Sequence, residues 1–164
     1  MLGQGLRKNP KRRGEWVELQ FMARVAGLGL QVSKPWGDSA RYDVGVERRG
    51  RRAVKVQVKS TMCRAKGSRW SYACAVHPNQ NGRPYRRKEF DFLAAYVIPE
   101  DVWYIFPARV VMNGKMNMVV LSPSVPGHRH EAYREAWHLL TGRGRRQLRR
   151  RRRRWPKTAC PSAH

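Results

Sequence analysis

Asp43, Gln57 and Lys59 are polar residues that stand among regularly spaced valines in residues 41–60, RYDVGVERRGRRAVKVQVKS. Their side chains offer a carboxylate, an amide oxygen and an ammonium group. Carboxylate and amide oxygens are ligands for hard cations, and an ammonium group stabilises an anion close to it. If the three side chains converge, they could therefore hold a metal ion beside an anionic substrate.

The valines predict how these side chains converge. Valine recurs with period two on two predicted strands, at Val44 and Val46 on the first and at Val54, Val56 and Val58 on the second. This alternation is typical of strands that bury one face. A turn centred on Gly50 pairs residues whose numbers sum to about 100, which places Asp43 opposite Gln57 and diagonal to Lys59. The alternative is that this face is only the solvated side of an amphipathic hairpin.

A predicted helix over residues 14–30, GEWVELQFMARVAGLGL, can lie beside the hairpin and add a fourth group. Its predicted core face is the set Trp16, Leu19, Met22, Val25 and Ala26. Glu15 and Glu18 lie on one stripe next to that face. We assign Glu15 to the first helical turn, where a carboxylate meets the positive end of the helix dipole. For Glu18, one turn further in, a structural role and a role in the site both stay open.

The charge balance is strongly basic, because 35 Lys and Arg residues against 11 Asp and Glu residues give a net charge of +24. This excess predicts a polyanionic partner, and nucleic acid is the leading candidate. An anionic membrane surface is the competing candidate. We expect no membrane association, because no run approaches about 18–20 apolar residues and the basic segments have no amphipathic apolar stripe.

The three cysteines, Cys63, Cys74 and Cys160, are an odd and widely spaced set that does not suggest a disulfide framework. A zinc site could be assembled from Cys63, Cys74, His77, His128 and His130. No CxxC or finger spacing supports it, and buried thiols and surface histidines are the simpler interpretation.

The basic N-terminus has no apolar run or cleavage site after it, so we predict a cytoplasmic, nucleoid-associated location.

The rest of the chain predicts further strands and one more helix. LQVSKP and WSYACAV are predicted strands, and FDFLAAYVIPEDVWYIFPARVV predicts a buried strand pair. HPNQNGRPYRRKE is a predicted loop. Tyr133, Trp137 and Leu140 predict a closing helix over HEAYREAWHLL. Residues 143–164 contain too few apolar residues for a core and are predicted to be a disordered, Arg-rich tail.

The series GEWVEL, RYDV and VQVKS resembles the PD-(D/E)XK nuclease superfamily, and most closely its small endonucleases associated with group I introns. In that group glutamine replaces the second acidic residue. The later segments FDFLAAYV, WYIFPA and YREAWHLL are also similar, so that the resemblance runs from about Gly14 to Leu140. It implies an α/β, restriction-endonuclease-like core, a central mixed β-sheet flanked by helices. The implied organisation is a basic leader (1–13), a nuclease domain (14–142) and the tail (143–164).

The resemblance implies a role for each candidate residue. Glu18, Asp43, Gln57 and Lys59 correspond to the catalytic set, with Asp43, Gln57 and Glu18 as ligands of Mg²⁺, for which Mn²⁺ could substitute. Lys59 would orient the attacking water and stabilise the transition state. The sequence departs from the family pattern in that Tyr42 replaces the proline before the aspartate, and the neutral Gln57 predicts weaker metal binding.

The expected partner is double-stranded DNA, contacted through basic residues outside the catalytic set. These are Lys8, Lys11, Arg12, Arg13, Arg64, Lys66, Arg69, Arg83, Arg86, Arg87 and Lys88, with Arg149, Arg150 and Arg151 in the tail. Cutting both strands usually requires two sites, which predicts a homo-oligomer, a dimer or a tetramer. Two alternatives stay open: a structure-selective nuclease similar to Holliday junction resolvases, and a non-catalytic DNA- or RNA-binding protein with a decayed site.

Overall fold

The computed structural model describes residue 5 and residues 8–37, 39–76, 85, 88–112 and 118–142. Three α-helices lie in these ranges: α1 (Pro10–Gly27), α2 (Ala108–Val111) and α3 (His138–Thr141). The strands are β1 (Gln31–Ser33), β2 (Val44–Arg48), β3 (Arg51–Thr61), β4 (Tyr72–Ala75), β5 (Phe92–Val97), β6 (Val102–Pro107) and β7 (Met118–Leu121). The predicted loop over 77–89 lies largely outside the described residues, and the predicted disordered tail over 143–164 lies wholly outside them.

The larger sheet has five strands in the order β1-β2-β3-β5-β6. Strand β3 pairs with β5 in parallel, and the other neighbours pair antiparallel. Strands β4 and β7 form a separate antiparallel pair. The prediction of an α/β fold with a central mixed sheet is therefore confirmed, and so are the predicted strand pair β5–β6 and the strand in WSYACAV.

Helix α1 begins four residues earlier than predicted because residues 9 and 10 form a start signal. The Asn9 side chain accepts a hydrogen bond from the backbone N–H of Arg12 at 3.1 Å, and Pro10 occupies the first helical turn. Neither Glu15 nor Glu18 therefore lies in the first turn. The helix-dipole role expected for Glu15 was wrong.

The predicted core face of α1 was right only in part. Val25 is buried, and Trp16 and Met22 pack against the core, whereas Leu19 is 60% exposed and Ala26 is exposed. The fully buried residues of the helix are Val17, Phe21 and Val25. Apolar residues lie on more than one side of this helix, and the sheet selects the i, i+4, i+8 stripe on which Phe21 stands. Phe21 then packs against Trp103 of β6, with ring centroids 5.6 Å apart.

The central sheet is covered on both faces. Helix α1 and the hairpin valines enclose one core with residues such as Trp103, Ile105 and Leu140. The strand pair β4–β7 covers the other face and buries Leu93 and Phe106. The valine face of the β2–β3 hairpin is thus an anchor in the core, as predicted, and fixes the position of the residues that alternate with the valines.

The predicted continuous helix over residues 130–140 was wrong. A 3₁₀ turn (Glu131–Tyr133) and the short helix α3 replace it, and between them Glu135 adopts a left-handed backbone conformation with φ of 47°. The cause is a tertiary contact with the edge strand β6. The backbone N–H of Glu135 donates to the Trp103 carbonyl at 2.8 Å, and the Glu135 carboxylate accepts from the Trp103 N–H at 2.7 Å. These bonds pair the segment with β6 instead of with itself.

Candidate active site

The β2–β3 hairpin brings Asp43 and Gln57 together. Val44 pairs with Val56, Gly45 with Lys55 and Val46 with Val54, which is the predicted register. One residue before β2, the backbone N–H of Asp43 donates to the Val56 carbonyl at 3.0 Å. Asp43 therefore lies beside β3 at the end of the ladder, within side-chain reach of Gln57 as predicted.

The Asp43 carboxylate is held through one of its two oxygens. Its Oδ2 accepts hydrogen bonds from the Gln57 side-chain amide and, at 2.7 Å, from the backbone N–H of Val58. Within the described residues Oδ1 accepts none, so it is the oxygen available to a cation. Because Gln57 uses its Nε2 on Asp43, its own Oε1 is likewise left as a neutral oxygen donor.

Burial raises the pKa of Asp43 from its usual 3.8 to about 6. The negative charge of Glu18 raises this pKa further, whereas the Val58 N–H, the charge of Lys59 and the Gln57 amide lower it. Burial dominates because a carboxylate removed from water loses more hydration than these neighbours replace. A divalent cation at Oδ1 would supply the missing positive charge.

Glu18 and Lys59 act on Asp43 through their charges. Glu18 lies on α1, beside the hairpin, with its side chain 20% exposed. Lys59 follows Gln57 by two residues on β3 and is partly buried. Within the described residues neither side chain bonds directly to Asp43. The structure thus brings Asp43 and Gln57 into contact and places the other two predicted residues within electrostatic reach of Asp43.

Lys34 is a neighbour of this site that the sequence analysis missed. Its Nζ lies 2.7 Å from Oε2 of Glu18, and the charges of Asp43 and Glu15 help to raise the pKa of Lys34, after the larger effect of the Glu18 hydrogen bond. The alternation Leu30, Val32, Lys34 was the available signal, because it places Lys34 on the same side of β1 as two residues that pack on the core.

The donor set fits a hard cation better than zinc. The described residues contain no group of three or more His, Cys, Asp and Glu side chains that could hold a metal ion. Mg²⁺ does not require such a cage, because it keeps several waters and binds through one or two carboxylates. Asp43 provides a poorly hydrated carboxylate, and Gln57 provides an amide oxygen next to it. Cys74 is buried, and burial raises the pKa of its thiol to about 12, which disfavours the thiolate that zinc would need.

The predicted DNA-binding residues are divided between described and undescribed segments. Lys8, Lys11, Arg12, Lys66, Arg69 and Lys88 are exposed, and Arg13 is partly buried. Arg64 is exposed but packs over the ring of Tyr72 at 4.2 Å and lies 3.9 Å from Glu100. Arg83, Arg86, Arg87, Arg149, Arg150 and Arg151 lie outside the described residues, and so does His77 of the zinc alternative. Within the described part of the chain, no helix is long and apolar enough to cross a bilayer.

Comparison with known proteins agrees with this geometry. A family model described as PD-(D/E)XK endonuclease matches residues 8–140. The chain is similar to the solved structure of a bacterial homing endonuclease, I-Ssp6803I, with 31% sequence identity and a TM-score of 0.70 over 84% of this chain and 97% of that one. A search of curated proteins gave no significant match.

Proposed function

Because the chain belongs to the PD-(D/E)XK endonuclease family, we propose that it is a Mg²⁺-dependent DNA endonuclease of the homing type, associated with an intron and accepting Mn²⁺ in place of Mg²⁺. The observation that carries the proposal is the hydrogen bond between Asp43 and Gln57. The charges of Glu18 and Lys59 both act on the Asp43 carboxylate in this contact. By the resemblance of the sequence, these four residues correspond to the catalytic set of the family motif, and we propose that they serve as that set here. The fold around them is restriction-endonuclease-like.

Asp43 and Gln57 form the binding pair for the metal. Asp43 contributes a charged oxygen, and Gln57 contributes a neutral one while its N–H₂ group fixes the carboxylate. Glu18 adds a second negative charge from α1. When bound, the cation neutralises charge that develops on the phosphodiester oxygens.

Lys59 acts on the substrate side of this pair. Its ammonium group stays close enough to Asp43 to lower the pKa of that carboxyl. From this position it would orient the attacking water and stabilise the negative charge of the pentacovalent transition state. An ammonium group also attracts the phosphodiester itself, so Lys59 serves substrate approach as well.

Duplex DNA is the proposed substrate because the chain carries a net charge of +24 and exposes cations on several segments of the described fold. A single set of four residues serves one strand at a time. We therefore propose that a symmetric homo-oligomer, a dimer or a tetramer, presents two such sets to the two strands. Because the proposed substrate is DNA, we also propose a cytoplasmic, nucleoid-associated location.

The proposal is tested by nicking of supercoiled plasmid with and without Mg²⁺. Asp43→Ala and Lys59→Ala should each abolish cleavage, while DNA binding measured in Ca²⁺ stays near that of the wild type. Glu47→Gln and Lys55→Ala are matched controls, since both residues are exposed on the same hairpin. Cleavage by Asp43→Ala at the wild-type rate, in protein free of contaminating nuclease, would remove the site assignment.

The same assay separates the proposal from its alternatives. Preference for a four-way junction over linear duplex would identify a structure-selective nuclease. Binding without metal-dependent cleavage of either substrate would identify a non-catalytic protein, in which the neutral Gln57 marks the decayed position.

A further inference from the structure

A second basic site lies at the tip of the β2–β3 hairpin, away from the four catalytic candidates. It is a cavity of about 850 Å³ between the start of β3, the start of β5, the end of β6 and α2. Five cationic side chains line it: Arg48, Arg51, Arg52, Lys88 and Arg109. None of the four catalytic candidates does. Only Lys88 among the lining cations was predicted to contact DNA.

Among the described lining residues, Asp91 is the one carboxylate, and that group is already engaged. Asp91 accepts a hydrogen bond from Arg52 at 2.8 Å through Oδ1 and one from the Lys55 backbone N–H at 2.9 Å through Oδ2. It can therefore offset one positive charge of the five. The excess of like charges is unfavourable without a counter-ion, because cations this close repel one another. A negatively charged ligand would therefore bind favourably in this cavity.

Arg48 is held in place at the wall of the cavity. Its Nη2 donates to the Leu139 carbonyl at 3.2 Å, and its guanidinium lies over the Phe92 ring at 5.7 Å. Its Nε is buried and has no hydrogen-bond partner among the described residues. Because this Nε is closed to solvent, Arg48 contributes to the cavity through the charge of its guanidinium rather than through that donor.

We propose that this cavity binds the sugar-phosphate backbone of DNA at a distance from the cleaved bond. This inference rests on the proposed function, since it adds a second contact for the same substrate. The cations would contact phosphate oxygens, and the apolar lining at Phe92, Pro107 and Met112 would contact deoxyribose carbons. The mixture of five cations and apolar side chains matches a sugar-phosphate chain better than a free inorganic anion.

The cavity lies at a distance from the catalytic residues. Arg52 and Gln57 are five residues apart on β3, which is roughly 17 Å at the usual strand rise. Because this separation is odd, the two side chains point to opposite faces of the strand, so the cavity would contact a stretch of the sugar-phosphate backbone other than the one that is cleaved. A phosphate contact there fixes the register of the DNA without reading its sequence, because backbone contacts position a protein on the duplex.

Lys88 and Arg109 are the residues on which to test the inference. Both are exposed and line the cavity, and no hydrogen bond or ion pair holds either within the described residues. Arg48 and Arg51 are less suitable, since they bond the carbonyls of Leu139 and Gly142. The matched control is Arg129→Gln/Arg134→Gln, which removes the same charge at exposed positions outside the cavity.

The experiment measures the affinity of full-length protein for a short duplex in Ca²⁺ across a range of salt concentrations. For Lys88→Gln/Arg109→Gln, loss of two phosphate contacts should flatten the slope of log K against log salt by about 1.8, that is about 0.9 for each contact. The control should keep the wild-type slope. An unchanged slope in the cavity variant, or an equal change in the control, would overturn the inference.

Two further measurements keep the result unambiguous. The melting temperature of each variant shows that the fold is intact, and the single variants Lys88→Gln and Arg109→Gln serve if the double variant is unstable. Inorganic phosphate should not raise the melting temperature of the wild type. If phosphate alone does raise it, and the salt slope of DNA binding is unchanged in the cavity variant, the cavity is a site for a free anion and the proposal is overturned. DNA binding is measured here without cleavage. An inactive protein would therefore contradict the proposed nuclease function alone, and an unchanged salt slope would contradict this inference alone.

Discussion

Lys34 holds Glu18 by a 2.7 Å ion pair, so the glutamate of the candidate active site is partly neutralised by a residue from the segment between β1 and β2. The pair is too exposed on the lysine side to contribute much stability, about 0–1 kcal/mol. Lys34 matters more for the charge of the site, because its ammonium group interacts electrostatically with Asp43 as well as with Glu18.

Lys34→Ala should therefore lower the Mg²⁺ concentration that gives half-maximal cleavage. Removing a positive charge next to two carboxylates strengthens the attraction for a divalent cation. Titration of plasmid cleavage with Mg²⁺ measures this, with Arg129→Ala as a control outside the site. A raised or unchanged Mg²⁺ requirement would show that Lys34 does not compete with the metal for Glu18.

Asp43→Asn should abolish cleavage and stabilise the metal-free protein. Since the pKa of Asp43 is about 6 in the folded state against 3.8 ordinarily, the folded protein binds the proton more tightly than the unfolded chain. The ionised carboxylate then lowers the free energy of unfolding by at most about 3 kcal/mol above pH 6. This cost decreases as the pH falls from 6 towards 4 and is absent below that.

The measurement is denaturant unfolding of both proteins in a chelator at several pH values. The gain of Asp43→Asn should be largest at pH 7 and should vanish near pH 4. A variant that is less stable than the wild type at pH 7 would contradict the assignment of burial as the dominant cause.

Gln57→Glu should change the protein in opposite ways with and without metal. Gln57 donates a hydrogen bond to Asp43, which an ionised glutamate cannot do. The variant therefore has two carboxylates that repel each other, and it should unfold at a lower temperature than the wild type in chelator. Mg²⁺ should then raise its melting temperature more than that of the wild type, and less Mg²⁺ should be needed for cleavage. Equal shifts with Mg²⁺ in both proteins would mean that the side chain does not face the metal.

Deletion of residues 143–164 should weaken non-specific DNA binding and leave catalysis intact. The segment includes the run Arg149–Arg154, and each lost phosphate contact should flatten the salt slope by about 0.9 on duplex DNA. Ending the chain at Gly142 keeps its carbonyl, which accepts a 3.0 Å hydrogen bond from Arg51. The tail assignment fails if the slope is unchanged or if the shortened chain no longer folds.

Phe21→Ala and Leu19→Ala should differ sharply in stability. Phe21 is fully buried against Trp103, and truncating such a residue typically costs about 3–5 kcal/mol. Leu19 is 60% exposed, so its truncation should cost less than about 0.5 kcal/mol. Urea unfolding of the two variants checks which face of α1 is buried, and similar losses in both would contradict the packing described above.

The parts of this protein that depend on local pattern were predictable from its sequence. Alternation of valines and the turn at Gly50 predicted both the hairpin and the contact of Asp43 with Gln57. The core face of α1 was predictable only in part: Val25 was identified, but Leu19 was wrongly included and Phe21 was left out. Apolar side chains lie on more than one side of the helix, and only contact with the sheet selects among them.

The start of α1 was missed although its signal, Asn9 followed by Pro10, is local. Three other misses share one physical cause, which is contact between residues far apart in sequence. Glu135 leaves helical geometry to bond Trp103, 32 residues away. Lys34 meets Glu18 across 16 residues, and the basic cavity joins the hairpin tip to β5, β6 and α2. No window of the sequence contains these pairs, so periodicity could not reveal them.

The short chain separation within the hairpin has a consequence for the order in which the site is assembled during folding. Asp43 and Gln57 are only 14 residues apart, so closing the loop between them has a low entropic cost. Glu18 joins them only when α1 docks on the sheet. We expect early hydrogen-exchange protection at the Val58 amide and later protection in α1, so that the proposed pair of metal ligands forms before the second carboxylate arrives.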